Sequence, residues 1–254
     1  MSTGIEVSLL KINVMGVAFD NVTLTEALDK AQALLDDGGK GFCVTPNAEI
    51  LHYAQKNPAY QALLNRAWLV IPDGAGAVLG SEILGTPLKE KVAGIDFADH
   101  LCDRLRQGGY RLYLLGGKPG VAEAAAAHLC EKYPGLNICG THHGYFAPEE
   151  TDSIIRQINA TNPDVLYVCM GAPKQEEFMD RYGEQLSARF MIGLGGSLDV
   201  FSGNLRRAPL WMRKCSLEWL YRILQDPVRL GRSASRPQFI LSCLKERRRQ
   251  RKNG

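Results

Sequence analysis

Two short segments carry the side chains best suited to chemistry. Asp73 closes the apolar run WLVIPD (68–73) and is followed by Gly-Ala-Gly. Thr45 and Asn47 close a second run, FCVTPN (42–47). A carboxylate beside neutral hydrogen-bonding groups suits a general base that takes a proton from an incoming hydroxyl. An Asp ahead of a glycine-rich helix start is equally suited to capping that helix.

Three further turns add candidate binding groups. GGKPG supplies Gly116, Gly117 and Lys118, GAPKQ supplies Gly171 and Gln175, and GLGGSLD supplies Gly195, Gly196 and Asp199. Small residues let backbone amides approach a ligand, and a following helix adds its positive end, so these turns suit phosphate. Asp199 fits a contact to a ribose or base, or a first-turn acid that complements the helix dipole. Neither the P-loop pattern nor the dinucleotide G-x-G-x-x-G fingerprint is present. His142 and His143 are adjacent, a poor arrangement for one metal, and H-E-x-x-H is missing. No D-x-D occurs anywhere in the chain.

These turns need a scaffold that aims them together. Apolar runs at 42–47, 68–73, 111–117, 164–171 and 189–196 are short and continuous, as strands covered on both faces are. Helical patterns occupy 23–37, 94–108, 121–133 and 173–186. The alternation predicts an α/β fold with a doubly wound, mostly parallel Rossmann-like sheet and right-handed crossovers. The opening VSLLKINVMGVAF fits a peripheral hairpin. In such sheets ligands bind beyond the carboxyl ends of the strands, where all five turns lie.

The chain has 254 residues, 45% of them apolar, enough for one sizeable core. Its seven Cys form no C-x-x-C pair and read as reduced thiols of a cytosolic protein. No signal peptide and no membrane-spanning run is evident. The net charge of +3 hides a division near Gly203. Residues 1–203 hold 16 Lys+Arg against 24 Asp+Glu, a net −8, and residues 204–254 hold 14 against 3, a net +11. The expected organisation is therefore a catalytic body, 1–203, and a basic, amphipathic helical C-terminal appendage, 204–254. Leu217, Leu220, Tyr221 and Leu224 recur at helical spacing among arginines, which fits an interfacial helix or an ordinary docking helix. Arg222, Arg229 and Arg232 offer guanidinium groups matched to a diphosphate. A basic tail also suits nucleic acid, but no nucleic-acid-binding motif accompanies it.

Taken together and in order, TPNAEIL, IPDGAG, KVAGIDF, LYLLGGKPGVAEAAAAHL, YPGLNICGTHHGYF, GAPKQEEF, IGLGGSLDVFSGNLRRAP and LEWLYRILQDPVRLGR resemble the WecG/TagA/CpsF glycosyltransferase family. The resemblance spans roughly residues 40–232. It implies an inverting, metal-independent enzyme with no cofactor. Such an enzyme moves N-acetylmannosamine, its uronic acid or glucose from a UDP-sugar to an undecaprenyl-diphosphate-linked saccharide for cell-surface polysaccharide. By motif it makes Asp73 the base, and has Thr45, Asn47 and Gln175 line the site. It gives Asp199 a nucleotide contact and has Arg222, Arg229 and Arg232 complete the site. Lys91 in KVAGIDF stands where many relatives have Arg, keeping the charge but losing the bidentate fork. The implied location is peripheral, on the inner face of the cytoplasmic membrane, with the tail on anionic lipid.

A non-catalytic nucleotide-binding regulator, a nicotinamide oxidoreductase and a nucleic-acid binder are the competing classes. Neither the donor sugar nor the oligomeric state, a homo-oligomer included, is decided by the residues.

Overall fold

The computed structural model describes residues 10–215, 217–225 and 235–253. Its centre is a six-stranded, all-parallel sheet. In chain order the elements are strands β1 (Lys11–Val14) and β2 (Val17–Asp20), helix α1 (Leu24–Asp36), β3 (Gly41–Val44), α2 (Ala48–Lys56), α3 (Pro58–Arg66), β4 (Leu69–Val70), α4 (Ala75–Leu84), α5 (Gly94–Gly108), β5 (Arg111–Gly116) and α6 (Val121–Lys132). They continue with β6 (Asn137–His142), α7 (Thr151–Ala160), β7 (Val165–Cys169), α8 (Lys174–Tyr182), β8 (Phe190–Gly193), α9 (Ser197–Phe201), α10 (Leu210–Lys214), α11 (Glu218–Gln225) and α12 (Ser235–Asn253). The sheet order is β4-β3-β8-β7-β5-β6, and β1 and β2 form a separate antiparallel hairpin.

Alternation along each strand divides the interior into two cores. Val44, Val70, Leu115, Val168 and Met191 face a layer containing α2, α3, α4, α7, α8 and α12. Cys43, Leu69, Leu114, Tyr167 and Ile192 face a layer containing α1, α5, α6 and α9. Burial on both faces explains why these strands read as unbroken apolar runs. The hairpin secures one edge: the buried Asp20 carboxylate accepts from the β4 amide of Val70 at 2.9 Å and pairs with Lys30 at 2.8 Å. Thr23 and Glu26 form a capping box that starts α1 where the apolar pattern begins.

Several expected elements differ in extent. The run 68–73 forms a ladder only at Leu69–Val70, because Pro46 on the facing strand lacks the amide that would continue it. The helical stretch 173–186 is α8 followed by a 3-10 turn, Gly183–Gln185. β6 is an additional edge strand, half-exposed and polar, with a register shift opposite Leu112 and Tyr113. Helices α2, α3, α4 and α7 are likewise additional to the sequence reading. All seven Cys are free, and Cys130 and Cys215 face solvent.

Beyond Gly203 the chain leaves the sheet, yet α12 packs back onto α2 and α4. Phe239 and Cys243 are fully buried in the first core. Arg236 pairs with Glu49 of α2 at 2.8 Å and stacks over Trp219 of α11 at 5.3 Å, while Arg247 donates to the Leu84 carbonyl that ends α4. Among the described residues no helix is long and apolar enough to cross a membrane.

Candidate functional site

Adjacent strands β3 and β8 are followed by helices on opposite faces of the sheet, and so are β7 and β5. At each such point the departing chains splay apart and open a crevice at the carboxyl ends of the strands. Four inter-strand steps separate β4 from β5, so the row of turns is about 19 Å long at the usual strand spacing.

At the β4 end, backbone pairing outlasts the ladder. Ile71 donates to the Val44 carbonyl at 3.1 Å and Asp73 to the Pro46 carbonyl at 3.2 Å, which lays IPD beside TPN. The cap of α4 is Gly74, without a side-chain hydrogen bond, so Asp73 does not cap the helix that follows it. Its Oδ1 instead accepts from the Gly94 amide, the first of α5, at 3.3 Å. The half-buried carboxylate thus faces the positive end of a fifteen-residue helix. Gly94 also packs closely on Thr45: a methyl group there would lie 3.1 Å from Thr45 Cγ2.

Thr45 is buried and donates its hydroxyl to the Gly193 carbonyl at 3.0 Å, tying the ends of β3 and β8 together. Asn47 caps α2, its Oδ1 accepting from the amides of Glu49 and Ile50 at 2.9 and 3.1 Å. Both residues lie at the crevice, and the contacts seen are ones that shape its floor.

Gln175 performs a similar task under the β8 turn. Its Oε1 accepts from the Gly195 amide at 2.8 Å, which fixes the amide orientation and sends Nε2 to Glu176 Oε1 at 2.7 Å. Glu176 was not legible as a site residue. It is wholly buried, and burial raises its carboxyl from the ordinary 4.5 to about 7, against the opposing hydrogen bond from Gln175. The Tyr60 hydroxyl is near enough to this carboxyl to oppose the rise, but closes no hydrogen bond of good geometry with it.

The remaining turns occupy the same edge. Gly116 is the tightest point: its φ of +143° and the Cys169 carbonyl, which would be 2.2 Å from an added Cβ, admit no side chain. The Gly117 amide donates to that carbonyl at 3.2 Å, as the Gly195 amide does to Gln175, so these two amides are committed within the protein. Lys118 is exposed, Gly171 and Gly196 are partly exposed in their turns, and Asp199 lies in the first turn of α9. His142 ends β6, and His143 follows it.

Cations gather on the α5 side. Burial opposes ionisation of Asp96, yet hydrogen bonds from Arg207 and the charges of Arg207, Arg213 and Lys91 hold its carboxyl below the ordinary range. Lys91 therefore lies near Asp96, in the first turn of α5. The Asp96–Arg207 pair, 111 residues apart, left no local signal in the sequence. Arg222 belongs to α11, but its side chain lies outside the described residues, as do Arg229 and Arg232 entirely. Among the described residues no group of three or more His, Cys, Asp or Glu could hold a metal ion.

Comparison with known proteins bears on this arrangement. A family model described as glycosyl transferase WecG/TagA/CpsF matches residues 12–253. The chain is 36% identical over 244 residues to the N-acetylglucosaminyldiphosphoundecaprenol N-acetyl-beta-D-mannosaminyltransferase of Staphylococcus aureus strain MRSA252, covering 95% of each chain. Proteins of the same name from strains MW2 and NCTC 8325 match over the same span at the same identity. The match takes in both the parallel sheet with its row of turns and the segment that follows Gly203, and the chain belongs to the glycosyl transferase WecG/TagA/CpsF family.

Proposed function

We propose that this chain transfers N-acetylmannosamine from its UDP derivative to an undecaprenyl-diphosphate-linked N-acetylglucosamine, with inversion. The observation that carries the reading is Asp73, held by the Gly94 amide at the crevice edge beside TPN. The relatives' names favour this sugar over its uronic acid or glucose. In the proposed step an acceptor hydroxyl attacks the anomeric carbon and loses its proton to Asp73. The bond to the β-phosphate oxygen breaks, and UDP departs with the electron pair.

The body, 1–203, binds the donor through the turns bearing Gly116, Gly117, Lys118, Gly171, Gly195, Gly196 and Asp199. Thr45, Asn47 and Gln175 set the shape of the crevice, and their remaining polar atoms line it. Lys91, Arg222, Arg229 and Arg232 stabilise the leaving diphosphate, preorganised charge in place of a divalent ion. The absence of D-x-D supports that choice. The segment 204–254 also rests on the anionic inner leaflet, at roughly 1 kcal/mol per well-placed basic residue. Leu210, Trp211, Leu220 and Leu224, all exposed, are the apolar contacts.

The test is transfer from UDP-ManNAc, UDP-ManNAcA and UDP-glucose to a soluble lipid-diphosphate-GlcNAc analogue. Turnover is expected with UDP-ManNAc and should persist in excess EDTA; rescue by Mg²⁺ after loss in EDTA would remove the metal-free mechanism. Asp73→Asn should lower kcat by ~10²–10⁴-fold with UDP binding retained. Retention of more than about a tenth of the rate would place the base elsewhere.

A further inference from the structure

Arg207 takes no part in the step just described, yet three segments meet at it. Its two terminal nitrogens donate to Asp96 Oδ1 and Oδ2 at 2.5 and 2.7 Å, a two-pronged pair. Asp96 follows Gly94 by two residues in the first turn of α5, and it is Gly94 whose amide meets Asp73. On its other side, Arg207 Nε lies 3.8 Å from Oε1 of Glu218, the first residue of α11. The last residue of α11 is held as well: Gln225 donates to the Arg206 carbonyl at 2.9 Å and accepts from the Arg206 amide at 3.2 Å. Glu218 and Gln225 are two helical turns apart and share one face. Residues 206–207 therefore run along α11, and the Arg207 side chain joins that unit to α5. A cleft between the β8 turn and α11, lined by Gly196, Val200, Leu205, Arg207, Glu218 and Gln225, lies at the junction.

We propose that Arg207 is a positioning residue for the transfer reaction: through Asp96 and Glu218 it holds α11 against the first turn of α5, in register with the Asp73 carboxylate. The inference rests on the proposed transfer activity and extends it to a residue outside the reacting groups. The chemistry asks for arginine. A planar guanidinium meets both Asp96 oxygens at once and fixes direction as well as distance, whereas an ammonium would supply only a point charge. Loss of the fork frees α11 to shift, and a displacement of about 1 Å in a catalytic group costs on the order of 10²-fold in rate.

The experiment uses the full chain with Arg207→Ala, Arg207→Lys and the exchange Asp96→Arg/Arg207→Asp. Three quantities are read: amide hydrogen exchange of peptide 218–225, thermal midpoint, and kcat with donor KM on the soluble acceptor. Arg207→Ala should speed exchange in 218–225 by about tenfold or more while the strands of the sheet stay protected. It should lower kcat by about 10–100-fold with donor KM changed no more than about threefold. Arg207→Lys should fall between, and the exchanged pair should recover part of both losses. Unchanged exchange in 218–225 would overturn the proposal, as would faster exchange with kcat intact. A fall in kcat matched by loss of protection throughout the sheet, and not repaired by Lys, would reduce Arg207 to a fold residue and overturn it too. A wild-type chain that transfers no sugar would refute the proposed function instead, and the exchange measurement would still decide whether Arg207 holds α11.

Discussion

The sheet and the segment after Gly203 treat apolar surface in opposite ways. Strands β3, β5, β7 and β8 bury nearly every side chain, and the polar groups at their ends are held by short hydrogen bonds such as Thr45 to Gly193. In the later segment, Leu210, Trp211, Trp219, Leu220, Leu224, Leu241 and Leu244 are all exposed large apolar residues, set among arginines. Only Phe239 and Cys243 of α12 enter the core fully. The sheet spends its hydrophobicity on fixing one arrangement; the described residues of the later segment keep much of theirs at the surface. The difference separates a base fixed by burial from a segment that the proposed function sets against a lipid surface.

The sharpest way to break this comparison is through the docking points. Phe239→Ala should destabilise the protein by about 3–5 kcal/mol, the range for removing a buried aromatic side chain. Denaturant titration measures it, and a loss under about 1 kcal/mol would mean that α12 is as loosely attached as its exposed neighbours. The site's own interior gives the next effect. Because the folded Glu176 carboxyl titrates near 7 and not at 4.5, the native state binds more protons than the unfolded state between those values. Stability should therefore fall as pH rises from about 4.5 to 7, by about 3 kcal/mol in all, and level off above. Glu176→Gln should abolish that slope and keep the amide bonded to Gln175; equal slopes in thermal midpoint against pH would remove Glu176 as the cause. The smallest effect on the fold belongs to the open face. Trp211→Ser and Leu224→Ser, at positions 61% and 71% exposed, should change stability by no more than about 0.5 kcal/mol. Both should weaken binding to vesicles of anionic lipid, and unchanged binding would take these residues out of the membrane contact.

Much of the sheet was legible because a strand buried on both faces must be apolar throughout, and the turns after β3, β5, β7 and β8 announce themselves by Gly and Pro. β6 was not: NICGTH is an edge strand with half-exposed residues, so no apolar run marks it. α4, AGAVLGSEIL, is apolar nearly all round and offers no face to read. α7 carries Ile154, Ile155 and Ile158 on one face, a helical signal that a reading led by strands passes over. At the site, IPDG and TPN pointed to Asp73, Thr45 and Asn47 because local sequence sets a turn. Gln175 was read as lining the crevice, while its partner Glu176 and the pair Asp96–Arg207 depend on contacts made only in three dimensions. Sequence spacing is blind to a bond across 111 residues.

The docking of α12 also bears on how the protein is made. This nineteen-residue helix follows every strand of the sheet in the chain, yet it covers α2 and α4, which are synthesised long before it. A nascent chain can therefore assemble its parallel strands while one outer layer still lacks its last cover. During that interval the space that Phe239 and Cys243 will occupy is an open apolar seam. A ribosome that stalls after α11 would release a chain with the sheet and all of its turns present and the seam exposed, a natural handle for chaperones and proteases.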